Sequence, residues 1–376
     1  VVGGVRRSAL ISLSSLQDDR MRSAKSGQWW VTDSQRALAN NSAVYDGPVE
    51  PGQFMEEWLS LYKSKSGERG IFNRQAAKKG IDRNTENRSD TDRVRENDHN
   101  FGTNPCSEIV LRDCEFCNLT EMVVRSDDTR ESLMRKARLA TILGTWQSTL
   151  TDFRYLSSSW KKNCEEERLL GVSITGIMDN PLTNGKEGDL EQLLKDLKEK
   201  AVKVNAKLAK EIGIPQSAAI TCVKPSGTVS QLVDAASGIH ARHNPYYIRT
   251  VRGDKKDPLT KMMVDFGFPV EDDMMNPTHT SVFSFPMKAP SDAVFRTEMT
   301  AIEQLELWLA YQKHWCEHKP SVTISVKENE WMEVGAWVFD NFEWMSGVSF
   351  LPFSEHTYQQ APYQDCDVDS YKAMLE

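Results

Sequence analysis

A thiol, a carboxamide and a carboxylate occupy alternate positions of one short segment, residues 104–108, which reads Asn-Pro-Cys-Ser-Glu. Its proline disfavours helix for the residue before it, so we expect an extended or tight-loop element. Side chains two residues apart in an extended segment point to the same face, which predicts that Asn104, Cys106 and Glu108 form one surface. A second thiol, Cys117, follows eleven positions after Cys106. Such a group suits radical redox chemistry on a diol.

Each of these side chains also has an ordinary interpretation. A lone cysteine in a proline-containing loop is often a small buried hydrophobic residue, and a lone Asn-Pro is often a turn. Cys114 precedes Cys117 by three residues, which leaves open a thioredoxin-like redox pair or half of a zinc site. A structural zinc site would need two further ligands, and no dense set of His and Cys offers them on one face, so we predict no metal site.

A second polar loop lies at Pro225, Ser226, Gly227, Thr228 and Val229, directly after Lys224. Successive backbone N–H groups and two hydroxyls at a turn that contains glycine can bind an anion without many cations. The same letters also form ordinary turns. The loop is therefore a candidate phosphate site only in combination with other motifs.

Hydrophobic periodicity predicts the elements that position these loops. Helices are expected at about 52–64, 128–150, 189–212, 300–316 and 328–345, and strands at 8–14, 169–177, 218–223 and 322–326. Asp128 and Thr300 are the predicted N-terminal caps of two of these helices. Residues 80–103 are predicted to be a polar loop that leads into the cysteine segment. Alternating strands and long helices indicate a mostly parallel α/β architecture.

Composition narrows the class of partner. The chain has 376 residues, a formal net charge of −8, 39% hydrophobic residues and seven cysteines. A negative net charge disfavours a DNA or RNA partner, because nucleic-acid binding needs a basic field to replace counterions. No run of about 18 apolar residues is present, so no membrane partner is expected. The cysteine content is too low for a disulfide-rich secreted protein and favours a reducing, cytoplasmic location.

Further motifs accompany the cysteine segment in a characteristic order. They are residues 2–9 (Val-Gly-Gly-Val-Arg-Arg-Ser-Ala), 66–74 (Ser-Gly-Glu-Arg-Gly-Ile-Phe-Asn-Arg), 171–176 (Gly-Val-Ser-Ile-Thr-Gly) and 224–231 (Lys-Pro-Ser-Gly-Thr-Val-Ser-Gln). Together with segment 104–108 and the short gap from Cys106 to Cys117, they resemble the ribonucleotide reductases, in particular the adenosylcobalamin-dependent, class II, monomeric ribonucleoside-triphosphate reductases. The resemblance implies part of a ten-stranded α/β barrel, made of two antiparallel halves around a central finger loop, with the whole of residues 1–376 forming a single catalytic barrel portion.

The resemblance also implies a role for each site residue. Cys106 matches the thiyl-radical residue that takes the 3′-hydrogen of the ribose, Glu108 the base for the 3′-hydroxyl, and Asn104 the amide that binds the ribose hydroxyls. Cys117 matches one of two redox thiols, and residues 225–229 match the loop for the substrate phosphates. Adenosylcobalamin is the implied cofactor, although no Asp-x-His-x-x-Gly motif for a histidine-ligated cobalamin is present. A ribonucleoside triphosphate, or a diphosphate, is the implied substrate.

The resemblance further implies missing parts. The partner of Cys117, the effector region and the C-terminal cysteine pair of the family have no match in the chain. We therefore expect an N-terminal reductase fragment as one partner and thioredoxin or a similar reductant as another. Two alternatives remain open: a non-catalytic nucleotide-binding remnant or assembly partner, and a class I large subunit that receives its radical from another protein.

Overall fold

A computed structural model of the chain describes residues 10–86, 88, 93–353 and 360–376. The motif at residues 2–9 lies outside the described residues, as does the side chain of Thr228. The chain divides into two compact units. The first contains the described residues up to His240 together with Thr300–Phe353, and the second contains Ala241–Met299 and residues 360–376.

The strands of the described residues, numbered along the chain, are β1 (Leu10–Ser15), β2 (Ala39–Tyr45), β3 (Gly70–Asn73), β4 (Gly102–Thr103), β5 (Val110–Leu111), β6 (Asn118–Val123), β7 (Leu170–Thr175), β8 (Thr221–Cys222), β9 (Tyr246–Asp254), β10 (Val270–Asp272), β11 (Thr280–Lys288), β12 (Thr323–Val326), β13 (Ser349–Pro352) and β14 (Tyr363–Asp365).

The helices are α1 (Asp19–Arg22), α2 (Trp29–Thr32), α3 (Pro51–Ser64), α4 (Arg74–Glu86), α5 (Arg130–Gln147), α6 (Ser158–Glu167), α7 (Leu190–Ile212), α8 (Thr228–Leu232), α9 (Pro258–Asp265), α10 (Ala301–His314), α11 (Trp331–Asp340) and α12 (Val368–Ala373). The predicted mixed α/β class is confirmed. None of the helices among the described residues combines the length and the apolar composition needed to cross a bilayer.

Three sets of parallel strands form the framework of the first unit. Strands β1, β2 and β3 are parallel neighbours, and so are β6, β7 and β8, and β12 and β13. A parallel bridge from Val223 to Pro320 links the segments beside β8 and β12, while an antiparallel bridge from Ile71 to Val348 links β3 to the segment before β13. The order is therefore β1-β2-β3-β13-β12-β8-β7-β6, with three strands running antiparallel to five. This is the two-halved arrangement that the resemblance implies.

Local sequence explains the two clearest helices. Helix α7 buries an apolar stripe that includes Leu193, Leu197 and Ala201. Its N-terminal cap is Asp189, whose carboxylate accepts a hydrogen bond from the Gln192 amide, and its C-terminal cap is Gly213, with a φ of 73°. Helix α10 begins with a reciprocal capping box between Thr300 and Glu303, as predicted. Both helices therefore follow from capping residues and an apolar stripe that are visible in the sequence.

Two local predictions need correction. The cap of α5 is Thr129, paired with Ser132, and not Asp128. The Asp128 carboxylate instead accepts hydrogen bonds from the Arg125 amide and the Ser132 hydroxyl. The predicted polar loop of residues 80–103 begins later than expected, because α4 continues to Glu86.

Two arginines of that polar stretch are buried. Arg88 and Arg95 are 7% and 5% exposed, and each forms an ion pair with a buried glutamate, Glu317 and Glu167 respectively. Charge composition alone suggested a solvated loop. The buried carboxylates on distant elements explain why these arginines face inward.

The second unit has a different architecture. Its strands form one antiparallel sheet in the order β10-β11-β9-β14, and α9 and α12 accompany the sheet. The long pairing of β9 with β11 extends from Tyr246 opposite Lys288 to Asp254 opposite Thr280.

Candidate active site

The cysteine segment is the tip of a hairpin. Strands β4 and β5 pair antiparallel, and the Ser107 amide donates a 2.8 Å hydrogen bond to the Asn104 carbonyl, which closes a turn. Ser107 has a φ of 68°, a left-handed conformation that is uncommon outside glycine. The predicted tight loop is therefore confirmed. The expected simple alternation of Asn104, Cys106 and Glu108 along an extended strand is wrong, because the chain reverses direction between them.

A distant segment, residues 318–321, holds this finger loop in place. The Ser321 hydroxyl donates to the Cys106 carbonyl at 2.6 Å, and the Lys319 amide donates to the Glu108 carbonyl at 3.2 Å. His318 accepts the Val110 amide through Nδ1 at 3.4 Å, while its Nε2 lies 3.0 Å from the Leu170 carbonyl. Burial lowers the pKa of His318 to about 3, so the ring is neutral and suited to one donor and one acceptor role.

Cys106 lies at a cavity of about 280 Å³ within the first unit. The side chain is half-buried. The cavity walls carry several amide and hydroxyl side chains and one carboxylate. They include Asn40, Asn41, Ser42, Ser66, Glu68, Ser107, Pro225, His240, Ser321 and Thr323. A sulfur at such a wall can reach a polar ligand, which is the condition that radical chemistry on a sugar requires.

Glu108 lies beneath the loop tip and is 1% exposed. Burial raises the pKa of the Glu108 carboxyl, while a hydrogen bond from the Asn104 side chain and the positive charges of Lys224 and Lys319 oppose the rise. Among the described residues, Glu108 Oε2 has no hydrogen-bond partner. The structure therefore brings the Asn104 and Glu108 side chains together, with the carboxylate buried. Neither residue is among those that line the Cys106 cavity in the described part of the chain.

Cys117 lies just before β6 and, like Leu111 of β5, packs against the buried cluster of Leu169, Ala218 and Ala219. A methyl group placed on Gly171 would lie 2.9 Å from Cys117 Sγ and 3.1 Å from the Ile109 side chain, so the thiol occupies a space that glycine leaves open. Burial raises the pKa of the Cys117 thiol well above its ordinary value, and the nearby carboxylates of Glu108 and Glu115 raise it further. The sulfur is therefore held as a thiol, the form that can donate hydrogen.

The alternative zinc interpretation of Cys114 and Cys117 gains no support. Cys114 and Cys117 are not joined in a disulfide. Within the described residues, the one cluster with metal-ligand spacing is formed by Glu96, Asp98 and His99, and two of its three side chains are exposed.

The predicted phosphate loop lies beside the same cavity in part. Pro225 contributes to the cavity wall, and Gly227 is exposed with open space around its Cα. Ser226 is fully buried, and its hydroxyl accepts the Ser230 amide at 3.0 Å. Gly227 has a φ of −77°, a backbone conformation that any residue can adopt, and an added side-chain carbon there would meet open space. Val229 is half-buried within α8.

Sequence reasoning missed the residues that hold the loop, above all Lys319. Lys319 Nζ donates to the Ser107 hydroxyl at 2.6 Å and to the Ser346 carbonyl at 3.2 Å. In the sequence Lys319 lies among polar and charged residues, Glu317, His318 and Ser321, which gave no sign that its side chain would be buried.

Comparisons with known proteins agree first on the class that this fold and site define. A crystal structure of a B12-dependent, class II ribonucleotide reductase superposes with a TM-score of 0.78 at 25% identity, over 97% of this chain and 53% of that one. The α subunit of the class Id ribonucleotide reductase of Actinobacillus ureae has a TM-score of 0.61 at 14% identity, which is a likeness of fold alone. No family model matches the chain.

Curated proteins are more specific. The adenosylcobalamin-dependent ribonucleoside-triphosphate reductase of Lactobacillus delbrueckii subsp. bulgaricus is 27% identical over 99% of this chain and 52% of its own length. The probable adenosylcobalamin-dependent ribonucleoside-triphosphate reductase of Dictyostelium discoideum is 31% identical over 73% of this chain and 36% of its own length. The predicted resemblance to class II ribonucleotide reductases is therefore confirmed. The chain spans about half the length of the curated relatives that match nearly all of it.

Proposed function

We propose that this chain carries the catalytic part of an adenosylcobalamin-dependent ribonucleotide reductase, which reduces ribonucleoside triphosphates to 2′-deoxyribonucleoside triphosphates for DNA synthesis. The observation that carries the proposal is the finger loop. Its tip brings the Cys106 side chain to a polar cavity, and its turn joins the Asn104 and Glu108 side chains by a hydrogen bond.

The reaction assigns a separate task to each side chain. Cys106 takes the 3′-hydrogen of the ribose and later returns it, which sulfur does reversibly because its S–H bond is weak. Glu108 accepts the 3′-hydroxyl proton, for which an ionised carboxylate with an available oxygen is needed. Asn104 orients the carboxylate and offers a donor and an acceptor to the ribose hydroxyls.

Removal of the 2′-hydroxyl as water consumes two electrons and two protons. Two thiols supply them and become a disulfide. Cys117 is the proposed first thiol, and its raised pKa keeps the proton on sulfur until it is used. The second thiol belongs to the proposed N-terminal reductase fragment, and thioredoxin or a similar reductant would regenerate the pair.

The cavity residues fit the nucleoside portion of adenosylcobalamin. The volume of about 280 Å³ lies just below the usual range for small-molecule pockets, roughly 300–1,000 Å³. Asn41, Ser42 and Ser66 are the wall residues that would hold its hydroxyl and ring nitrogen groups. When bound, the cofactor supplies the initial radical by homolysis of its cobalt–carbon bond.

The substrate phosphates are assigned to the loop at residues 225–229. Gly227 leaves the backbone at the start of α8 open to an approaching group, and Pro225 lies at the cavity that contains Cys106. This proximity would place the ribose between the loop and the thiol. A cytoplasmic location belongs to the same proposal, because nucleotide reduction by thiols requires a reducing compartment.

Formation of deoxyribonucleotide tests the proposal. The chain is assayed with a ribonucleoside triphosphate, adenosylcobalamin and dithiothreitol, with and without an added N-terminal reductase fragment. We expect product in the combined sample and its loss in Cys106→Ser. Cys366→Ser, which changes a thiol in the second unit, serves as the matched control and should retain activity.

Three results would contradict the proposal. Product formation that survives Cys106→Ser would exclude the thiyl mechanism. Tight nucleotide binding by calorimetry without product under any of these conditions would favour the non-catalytic alternative. Activity that depends on a separate radical-generating protein and not on adenosylcobalamin would favour a class I large subunit.

A further inference from the structure

Lys319 is a buried cation beside the finger loop to which the family resemblance gives no role. Its side chain is fully buried, and its ammonium contacts the Ser107 hydroxyl at 2.6 Å, the Ser346 carbonyl at 3.2 Å and the Phe72 ring face at 5.3 Å. Lysine is almost never fully buried without a partner charge, because removing an ammonium from water is costly. A residue that carries this cost at the tip of a functional loop requires an explanation.

Gly347 provides the space for that ammonium. A methyl group at Gly347 would lie 1.8 Å from Lys319 Nζ and 3.0 Å from the Ser107 hydroxyl oxygen. Any larger residue would expel the ammonium from its position. The absence of a side chain at Gly347 therefore allows the Lys319 ammonium to reach the Ser107 hydroxyl.

Ser107 is the loop residue whose conformation the Lys319 ammonium can control. It lies between Cys106 and Glu108 and adopts a left-handed φ of 68°, which costs a non-glycine residue free energy unless its surroundings hold it. The hydrogen bond from Lys319 holds its hydroxyl, and the Lys319 amide holds the Glu108 carbonyl at 3.2 Å. Two adjacent residues on one side of the loop tip, Ser107 and Glu108, are thus held by one lysine.

The ammonium also acts on Glu108 through its charge. The positive charge of Lys319 favours the ionised carboxylate, in opposition to burial. An ionised Glu108 is the form that the proposed reaction needs as its base.

We propose that Lys319 is a positioning residue for the reductase reaction. Its ammonium, in the space that Gly347 leaves open, holds Ser107 so that Cys106 faces the cavity. This inference rests on the proposed function for its catalytic consequence. The structural part of the proposal is that Lys319 and Gly347 together fix the loop tip, and it can be tested by measurements that need no enzymatic turnover.

The first experiment replaces the ammonium with an apolar group of similar length. In the reconstituted enzyme, Lys319→Met should lower kcat by at least about tenfold and change KM by less than about threefold, because it misplaces the reacting group and leaves the phosphate loop intact. Lys198→Met is the matched control, since Lys198 donates to Asn84 at 3.0 Å on a different element. An unchanged kcat in Lys319→Met would overturn the proposal.

The second experiment needs no turnover. Hydrogen exchange is followed by mass spectrometry for the peptide that contains the amides of Ser107 and Ile109, which bond to the Asn104 carbonyl and side-chain oxygen. We expect exchange about tenfold faster in Lys319→Met than in the wild type and in Lys198→Met. Wild-type protection in Lys319→Met would overturn the proposal even if the reductase assay succeeds.

A double-mutant cycle tests the link to Gly347. Gly347→Ala should accelerate exchange of the same peptide as strongly as Lys319→Ala, and it should add little in the Lys319→Ala background, where no ammonium remains to be expelled. Equal and additive effects would overturn the link. If no deoxyribonucleotide forms with any variant but the exchange results hold, the proposed function fails and the positioning role of Lys319 stands.

Discussion

The Ser321 hydroxyl donates a 2.6 Å hydrogen bond to the backbone carbonyl of Cys106, a residue 215 positions earlier in the chain. This bond ties the loop that carries the proposed radical to the segment that leads into β12. The thiol can therefore keep one direction toward the cavity although it lies at the tip of a short hairpin with only two paired residues in each strand.

Ser321→Ala should weaken that control. Loss of one hydrogen bond of ordinary strength, about 0.5–1.5 kcal/mol, should reduce kcat by roughly twofold to tenfold if the bond aligns the thiol. Steady-state kinetics of the reconstituted enzyme provide the measurement. Ser325→Ala, an exposed serine of β12, is the control and should behave as wild type. A kcat equal to that of the wild type in Ser321→Ala would show that the bond is not needed for alignment.

Asn104→Asp should move the acid limb of the kcat/KM profile to higher pH. Glu108 must be ionised to act as the base, and its pKa is already raised by burial while the Asn104 side chain, Lys224 and Lys319 oppose the rise. Replacement of the amide donor by a second carboxyl removes one opposing contribution and adds repulsion, so ionisation of Glu108 requires a higher pH.

The measurement is kcat/KM from about pH 5 to pH 9, with the same change at Asn163, a half-buried residue of α6, as the control for added charge. An acid limb that stays at the wild-type pH would remove Glu108 from the role of base.

Lys319→Met should stabilise the protein while it damages the site. Burial lowers the pKa of Lys319 to about 7, against an unfolded value near 10.5. Below pH 7 the folded state bears the full cost of a buried charge, and between pH 7 and 10.5 the unfolded state binds more protons, so this contribution to wild-type stability rises with pH.

The stabilisation by Lys319→Met should therefore be largest below pH 7, on the order of 1–4 kcal/mol, and should shrink toward pH 10.5. Urea unfolding at pH 6, 8 and 10 measures it. A destabilised Lys319→Met protein at pH 6 would mean that the lysine serves the fold and not the site.

Gly171→Ala should disturb the proposed redox thiol. The added methyl group would lie 2.4 Å from the Leu119 side chain and 2.9 Å from Cys117 Sγ, so the neighbours must move at a cost of about 1–3 kcal/mol. Gly144→Ala is the matched control, because its methyl group would lie 3.4 Å from Leu170 in ordinary contact, within helix α5. Thermal unfolding and the reaction rate of Cys117 with a thiol reagent measure the effect. Equal melting temperatures for the two variants would contradict it.

Much of the local structure could be predicted from the sequence. The stripe and caps of α7 and the capping box of α10 depend on residues within a few positions of one another, and both helices occur where the pattern predicts them. The predicted cap of α5, Asp128, lies one residue before the actual cap, Thr129. Both residue types are good caps, and only the hydrogen bond from the Arg125 amide to the Asp128 carboxylate decides between them.

The sequence by itself determined which residues could do chemistry, since a thiol, an amide, a carboxylate and a turn-forming proline lie within five positions. The tertiary structure alone decided how they are presented. The finger loop is held by Lys319 and Ser321 and lies beside the space at Gly347, all more than two hundred residues further along the chain. The burial of Glu108 likewise depends on the folded chain. Local preferences act over a few residues, whereas burial and electrostatic contact depend on the distance between atoms in the folded chain, so only the fold could reveal these partners.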